Sequence, residues 1–459
     1  MSIEFCKKTT KFDPNVMARL NRPVPRYTSY PTAPHFYPFT EEMAKEPLSR
    51  FDKSDKPLSL YLHIPFCKTM CLFCACSVIL NRRPERQAAY VDLLCREIEL
   101  LAAHFSSLRR VTQLHFGGGT PTSLTALEFE KIFNTLHRHF LIDEKAERSV
   151  EIDPRTVFAD KGEKLRFLAK SGINRVSFGV QDLDPCVQEA VRRRQTEEMT
   201  VTTLHLAREC GFDSVNVDLI YGLPFQTREK FQRTARRIAE LKPDRIAFFS
   251  YAKVPWLKIH QKSLPEKAEP SQLEKIEIYL DARTIFLDAG YEAIGMDHFA
   301  LSDDELSYAY RKKTLFRNFQ GYSCKMAEDL LGLGVTSIGK IEDTYLQNTK
   351  TLEEYAKAIE ERRLPISRGY SMSEEDKKRY WVIQTLMCDF ELKKEEFAQR
   401  FGVGFESLSA QLGQLIEEGL LEETPHMLRA TDFGHLFIRS IASAFDAYLH
   451  PEQQHFSKI

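Results

Sequence analysis

An α/β fold organised around a mainly parallel sheet is predicted by two features of the sequence: short β-rich runs, and longer charged stretches of helical periodicity that alternate with them over about 195 residues. The runs are LSLYLHIPF (58–66), VTQLHFGG (111–118), SVEIDP (149–154), RVSFGV (175–180), SVNVDLIYG (214–222) and RIAFFSYA (245–252). Between them, segments such as PERQAAYVDLLCREIELLAAHF and LEFEKIFNTLHRHFL repeat apolar residues at three and four, as on a helix with one buried face. Six such alternations imply crossover connections and strands running in one direction. A partial α/β barrel and an open doubly wound sheet both satisfy the pattern.

Before this body, residues 1–57 are polar and carry Pro14, Pro23, Pro25, Pro31, Pro34, Pro38, Pro47 and Pro57, so no long helix is expected and the segment reads as an extended arm. The body itself spans 58–300, its later part containing a long helix and then a strand before IGMDHFA (294–300). A connecting segment occupies 301–372. From 373 to 459 the pattern is mostly helical, with a winged-helix outline around EEFAQRFGVGFESLSAQLGQLIEEGLLEETPHMLRATDFGHLF. No basic surface accompanies that outline, so it reads as a packing or lid domain rather than a nucleic-acid module.

Composition narrows the function classes. The chain has 459 residues, 43% of them hydrophobic, and 64 Lys plus Arg against 65 Asp plus Glu, a net charge of −1. That balance describes an ordinary globular protein and gives no support to a nucleic-acid partner. No apolar run is long enough for a membrane helix, and MSIEFCKKTTKFDP lacks the apolar centre of a signal peptide, so a cytoplasmic protein is expected. In a reducing compartment its ten cysteines are thiols available for metal or chemistry.

Four of those cysteines cluster: Cys67, Cys71, Cys74 and Cys76 in HIPFCKTMCLFCACSVIL, spaced C-x3-C-x2-C-x-C directly after the first strand. Chance recurrence at such offsets has odds on the order of 10⁻⁴ over the chain. Burial as small hydrophobes does not explain four in ten residues. Structural zinc usually takes a second cysteine pair elsewhere, and Cys6, Cys95, Cys186, Cys210, Cys324 and Cys388 form none. Three thiolates without a distant fourth suit a four-iron, four-sulfur cluster that leaves one iron open to a non-protein ligand. Gly117, Gly118 and Gly119 end the second strand, where a missing Cβ lets backbone approach a ligand. Alone, such a triplet is equally a turn.

The C-x3-C-x2-C loop after the first strand of a parallel body resembles the radical S-adenosylmethionine (SAM) enzymes, which implies a partial (β/α) barrel. It also implies that the amino and carboxylate groups of SAM chelate the open iron and that an electron from the cluster releases a 5′-deoxyadenosyl radical. The resemblance narrows to the oxygen-independent coproporphyrinogen III oxidases through PRYTSYPTAPHF (25–36), YLHIPFCKTMCLFCACS (61–77), FGGGTPT (116–122), VEIDPR (150–155), GVQD (179–182), NVDLIYGLP (216–224), IGMDHFA, RNFQGY (317–322) and LLGLGVTSI (330–338). By this resemblance Cys67, Cys71 and Cys74 ligate the cluster, and Cys76 is a catalytic, non-ligating cysteine. Two SAM molecules are implied, with contacts at Tyr61, Phe73, Gly118, Gly119, Thr120, Glu151, Gln181, Arg193, Asp218, Ala252 and Ile338. Gln320, in the segment tied to the second SAM molecule, is the other catalytic candidate.

Each contact also has a plainer reading. Glu151 and Asp218 could be ordinary strand-end carboxylates. Arg193, within Arg192–Arg194, could lie on a solvated face, or its planar fork could hold a carboxylate. Tyr61, Phe73 and Ile338 could be core, and Asp297 with His298 either a polar site or a satisfied buried pair. His63 should share a face with Tyr61, two residues away on a strand. After RNFQGY, residues Ser323 to Glu328 depart from the family pattern.

The resemblance implies oxidative decarboxylation of two propionates of coproporphyrinogen III to vinyls in haem biosynthesis, with a flavodoxin-like protein as reductant and the chain acting as a monomer. Two rivals are a related haem chaperone and a radical enzyme for another tetrapyrrole. The chaperone typically lacks both the x-Cys extension after the third cysteine and the PRYTSYPTA arm, and both are present.

Overall fold

The computed structural model describes residues 23–324, 328–408 and 412–449, with Leu20 and the backbone of 2–5 and 8–11. Lys325, Met326 and Ala327, part of the stretch that departs from the family pattern, lie outside the described residues.

All six β-rich runs form strands: β1 (Leu58–Ile64), β2 (Arg109–Gly118), β3 (Phe140–Ile152), β4 (Arg175–Gln181), β5 (Ser214–Tyr221) and β6 (Arg245–Ser250). Each pairs in parallel with the next in chain order. A doubly wound sheet reverses its strand order at a switch point. This one does not reverse, which decides for the partial barrel. The sheet continues past both edges to 13 strands: beyond β1 through the parallel strand Asp329–Leu333, and beyond β6 through the antiparallel strand His298–Leu301. Among the described residues it does not close on itself.

Alternation along β1 shows how the core forms. Leu58, Leu60, Leu62 and Ile64 are completely buried in the main hydrophobic cluster with helix residues such as Leu94 and Ile98. Ser59, Tyr61 and His63 therefore face the other side of the sheet, where polar side chains meet. The helices between strands are punctuated as their sequences suggest. Thr125 and Glu128 close a reciprocal capping box on Ala126–His139, and Ser271 with Glu274 does the same on Gln272–Asp288.

Two local expectations are corrected. Residues 1–57 do contain a substantial helix, Glu41–Asp52, with Pro47 inside it. Thr40 caps its start, and burial of Ala44, Leu48 and Phe51 holds it against the loss of one N–H at the proline. β3 is also longer than the run 149–154, because the preceding helix stops at His139 and Phe140 turns into the core beside Arg109 of β2.

The C-terminal segment packs helices Glu374–Asp389 and Lys394–Phe401 on a three-stranded antiparallel sheet of Glu391–Lys393, Met427–Ala430 and Leu421–Glu423. Its hydrophobic cluster includes Leu20, Tyr27 and Tyr30 of the arm. Polar contacts add to this: Tyr27 donates to Asp446 at 3.0 Å, and the buried Arg439 guanidinium donates to the Val24 and Pro25 carbonyls.

Candidate functional site

At the C-terminal ends of β1–β6 lies a cavity of about 860 Å³. Strand ends converge there in any parallel barrel, which is why residues far apart in sequence share one mouth. Cys67, Cys71, Cys74 and Cys76 line it, as do Phe73, Gly118, Gly119, Thr120, Glu151, Gln181, Arg193, Asp218 and Ala252. Tyr61, Gln320 and Ile338 are not lining residues.

The cysteine loop is built so that its backbone is satisfied by neighbours. At its base Phe66–Cys67 pairs with Ile79–Leu80, and Asn81 donates its N–H to the Cys67 carbonyl at 2.9 Å. Farther along, Leu72 donates to the Val191 carbonyl at 2.9 Å. The carbonyls of Phe73, Cys74 and Cys76 accept from Gln261 at 3.0 Å, His260 at 2.8 Å and Lys258 at 2.7 Å. Because a carbonyl only accepts, the proton of His260 sits on Nε2. Sequence reasoning missed this clamp, since nothing in WLKIHQ marks a partner more than 180 residues away.

Around the thiols the environment is cationic. Arg193 Nη1 lies 3.5 Å from Cys71 Sγ and Arg155 Nη2 3.9 Å from it. Both guanidiniums also face Asp153, Arg155 at 2.6 Å and Arg193 at 3.7 Å. Burial alone would raise the Asp153 carboxyl, but Arg193 and Arg155 outweigh it and bring it down to about 2. Thr120 Oγ1 is 3.2 Å from Cys67 Sγ. A hydrogen bond with Cys76 lowers the Cys74 thiol below the ordinary thiol range, while burial pushes Cys67 up to about 11. The run Arg192–Arg194 resolves cleanly: Arg192 and Arg194 are exposed, whereas Arg193 turns inward to the loop and the Gly179 carbonyl.

The glycine triplet is a close approach rather than a bare turn. Gly118 has φ +117°, and a Cβ there would meet His63 at 2.7 Å; one on Gly119 would meet the Pro65 carbonyl at 2.6 Å. Gly118 donates its N–H to Glu151 at 3.0 Å. Asp218 accepts from Ser177 at 3.1 Å and Asn216 at 2.7 Å. Burial and then the Glu151 charge push the Asp218 carboxyl up to about 6. Two carboxylates in one cavity suit an ammonium or ribose hydroxyls.

Behind this wall, His63 donates from Nε2 to the Ser77 carbonyl at 2.9 Å and its Nδ1 meets the Tyr61 hydroxyl at 2.9 Å, so the two share a face as expected. Burial lowers the His63 pKa, which leaves Nδ1 as the acceptor for Tyr61. Tyr61 stacks on His115, which reaches Glu151 at 3.4 Å. Asp297 and His298 form a satisfied pair at 2.7 Å, extended by Arg26, which lines the cavity from the arm. Gln320 sits in the turn of the hairpin Phe316–Asn318 and Gly321–Ser323, its N–H donating to Asn318 at 2.8 Å. Ile338 and Phe319 both pack against the buried cluster of Phe36, Tyr345 and Met372.

Among the described residues, four buried polar atoms on the cavity wall have no protein partner: Ser123 Oγ, Gln181 Oε1, Arg193 Nε and Tyr251 Oη. Such atoms are costly unless something else binds them. With three inward thiols and a backbone cradle beside them, the donor set fits an iron–sulfur cluster and a polar, zwitterionic cofactor.

The chain is similar to known proteins in sequence and fold. Residues 61–238 match the radical SAM superfamily and residues 372–437 the HemN C-terminal domain. The oxygen-independent coproporphyrinogen III oxidase of Synechocystis sp. is 42% identical, covering 98% of both chains, and that of Escherichia coli K12 is 40% identical, also over 98% of each. The solved structure of coproporphyrinogen III oxidase (HemN) from Escherichia coli, described as a radical SAM enzyme, superposes with a TM-score of 0.89 at 39% identity, covering 97% of this chain and 100% of that one. Among the described residues no helix is long and apolar enough to cross a membrane.

Proposed function

The chain belongs to the oxygen-independent coproporphyrinogen III oxidases, radical SAM oxidoreductases that use a four-iron, four-sulfur cluster and SAM, and on that premise we propose how its residues share the reaction. The substrate is coproporphyrinogen III. Two of its propionates each lose a hydrogen atom to the deoxyadenosyl radical, carbon dioxide, and one electron to a separate electron acceptor to become vinyls, giving protoporphyrinogen IX. When bound, the cluster and cofactor supply one-electron chemistry that breaks an unactivated C–H bond, which no acid or base of the chain can do.

Cys67, Cys71 and Cys74 hold the cluster, with Arg193 and Arg155 offsetting charge at Cys71. Glu151, Asp218, Gln181 and the Gly118–Thr120 backbone orient SAM, with Phe73 and Ala252 on the same wall. Tyr61 acts from behind by fixing His63 and, through His115, Glu151. Cys76 serves turnover without ligating iron. Gln320 and Ile338 belong to a second SAM site beside the mouth. The chain works as a cytoplasmic monomer, reduced by a flavodoxin-like carrier.

The observation that carries this reading is the meeting of the Cys67, Cys71 and Cys74 thiols, the Glu151 and Asp218 carboxylates and four orphaned polar atoms on one cavity. Its test is anaerobic incubation of the reconstituted protein with coproporphyrinogen III, SAM and dithionite, followed by mass analysis. Loss of two carbon dioxide equivalents with formation of 5′-deoxyadenosine is expected. Tight haem binding without decarboxylation would favour a chaperone instead.

A further inference from the structure

Along the cysteine loop runs a second groove that shares Lys68, Thr69, Met70 and Arg155 with the main cavity and extends past Leu72 of the loop to Leu80, Arg82 and Arg192. Its charged lining is Lys68, Arg82, Arg155, Arg192 and Arg194 against Glu189 alone. Arg194 is paired with Glu189 at 2.7 Å and Arg155 with Asp153 at 2.6 Å. Among the described residues Lys68, Arg82 and Arg192 have no carboxylate partner, and all three are exposed. This concentration of positive charge stands on a chain whose net charge is −1.

Apolar surface flanks it. Leu80, in the groove, is 52% exposed; the segment that clamps the loop reaches the groove at Ser263, and before it Trp256 is 54%, Leu257 72% and Ile259 75% exposed. Large exposed side chains grouped beside uncompensated cations have the composition of a small, transient interface with an apolar centre and a charged rim. The wall between this surface and the three thiols is one loop thick.

We propose that this face docks an acidic one-electron carrier protein, with Lys68, Arg82 and Arg192 meeting its carboxylates and Trp256, Leu257 and Ile259 packing beside its exposed redox group. The carrier gives up one electron and the cluster accepts one; no bond forms and no proton moves between them. This rests on the reading of Cys67, Cys71 and Cys74 as the cluster site. Charge complementarity sets the encounter rate and makes it salt-sensitive, while the contact area stays in the range of weak redox encounters. The substrate is also anionic, so the experiment separates the two.

The test measures binding of a purified, strongly acidic flavodoxin in its oxidised form to the reconstituted protein, with no substrate or SAM present, by calorimetry at low and at physiological salt. The wild type should bind more weakly as salt rises. Arg82→Glu/Arg192→Glu should weaken low-salt binding by about tenfold or more and flatten the salt dependence. The same charge change in Lys53→Glu/Lys145→Glu, both exposed, the first ahead of β1 and the second within the N-terminal half of β3, should stay within about twofold. Leu257→Ser, which touches no charge, should weaken binding a few-fold and leave the salt slope unchanged. Turnover driven by dithionite should be the same in Arg82→Glu/Arg192→Glu as in the wild type. Equal weakening by both double variants, or a raised KM for coproporphyrinogen under dithionite, would overturn the proposal. If the wild type binds the carrier yet never decarboxylates the substrate under dithionite, the oxidase reading fails and the docking surface stands.

Discussion

The barrel mouth and the hairpin Phe316–Ser323 both carry residues that the family pattern marks, yet they are built by different means. At the mouth, Glu151, Gln181 and Asp218 lie on successive parallel strands, so the geometry of the sheet brings them to one cavity. Gln320 and Ile338 hang on a two-stranded hairpin and an antiparallel extension of the sheet, and neither lines that cavity. A parallel barrel assembles a site by topology, whereas a hairpin assembles one only through its own packing: here Phe319 against Tyr345 and Tyr322 against His298. The mouth should therefore govern cluster and cofactor, and the hairpin only turnover.

The largest effect separates the cysteines. Replacing Cys67, Cys71 or Cys74 by Ala should abolish the iron-dependent visible absorption of the reconstituted protein, since two thiolates cannot hold the cluster. Cys76→Ser should keep that absorption and lose porphyrinogen conversion. Loss of iron in Cys76→Ser would make it a ligand.

Next comes Arg193→Met. It strips one of two guanidiniums from buried Asp153 and leaves that carboxylate partly uncompensated, a cost of about 3 kcal/mol read from the denaturant midpoint. A variant as stable as the wild type would show that Arg155 alone suffices.

Asp218→Asn should move stability the other way. With its pKa at about 6 against an ordinary 3.8, the buried carboxyl takes up protons more readily folded than unfolded, so ionisation works against folding. That cost is full above pH 6, fades as pH falls, and is gone below about pH 4. The variant should gain about 3 kcal/mol above pH 6 and nothing below pH 4 in thermal unfolding followed across pH, while binding SAM more weakly. A gain independent of pH would mean that the carboxyl is not the cause.

The smallest effect belongs to the hairpin. Gln320→Ala should leave iron content and the first SAM-binding event intact and lower porphyrinogen turnover several-fold, because a neutral amide is lost without touching an iron ligand. Impaired cluster assembly in this variant would erase the division between the two regions.

Much of the mouth was legible in the sequence because parallel strands buried on both faces read as short apolar runs, and a three-thiolate loop has a spacing few other chemistries use. Charged residues on these strands, Glu151 and Asp218, followed from the same register. What was not legible depends on long-range contact. The clamp of Lys258, His260 and Gln261 on the loop carbonyls carries no local signature, nor does the pairing of Asp153 with both Arg155 and Arg193. The helix Glu41–Asp52 survives Pro47 only because its apolar face is buried, which local propensity does not register. Asp297 and His298 could not be told apart from a functional pair until Arg26 of the arm was seen to complete them.

The central claim is that three thiolates at the barrel mouth leave one iron open to SAM. It is tested most directly by electron paramagnetic resonance of the reduced, reconstituted protein before and after SAM is added without substrate. The cluster signal should shift on addition in the wild type and in Cys76→Ser alike. A signal that SAM leaves unchanged in both, with iron fully loaded, would contradict it.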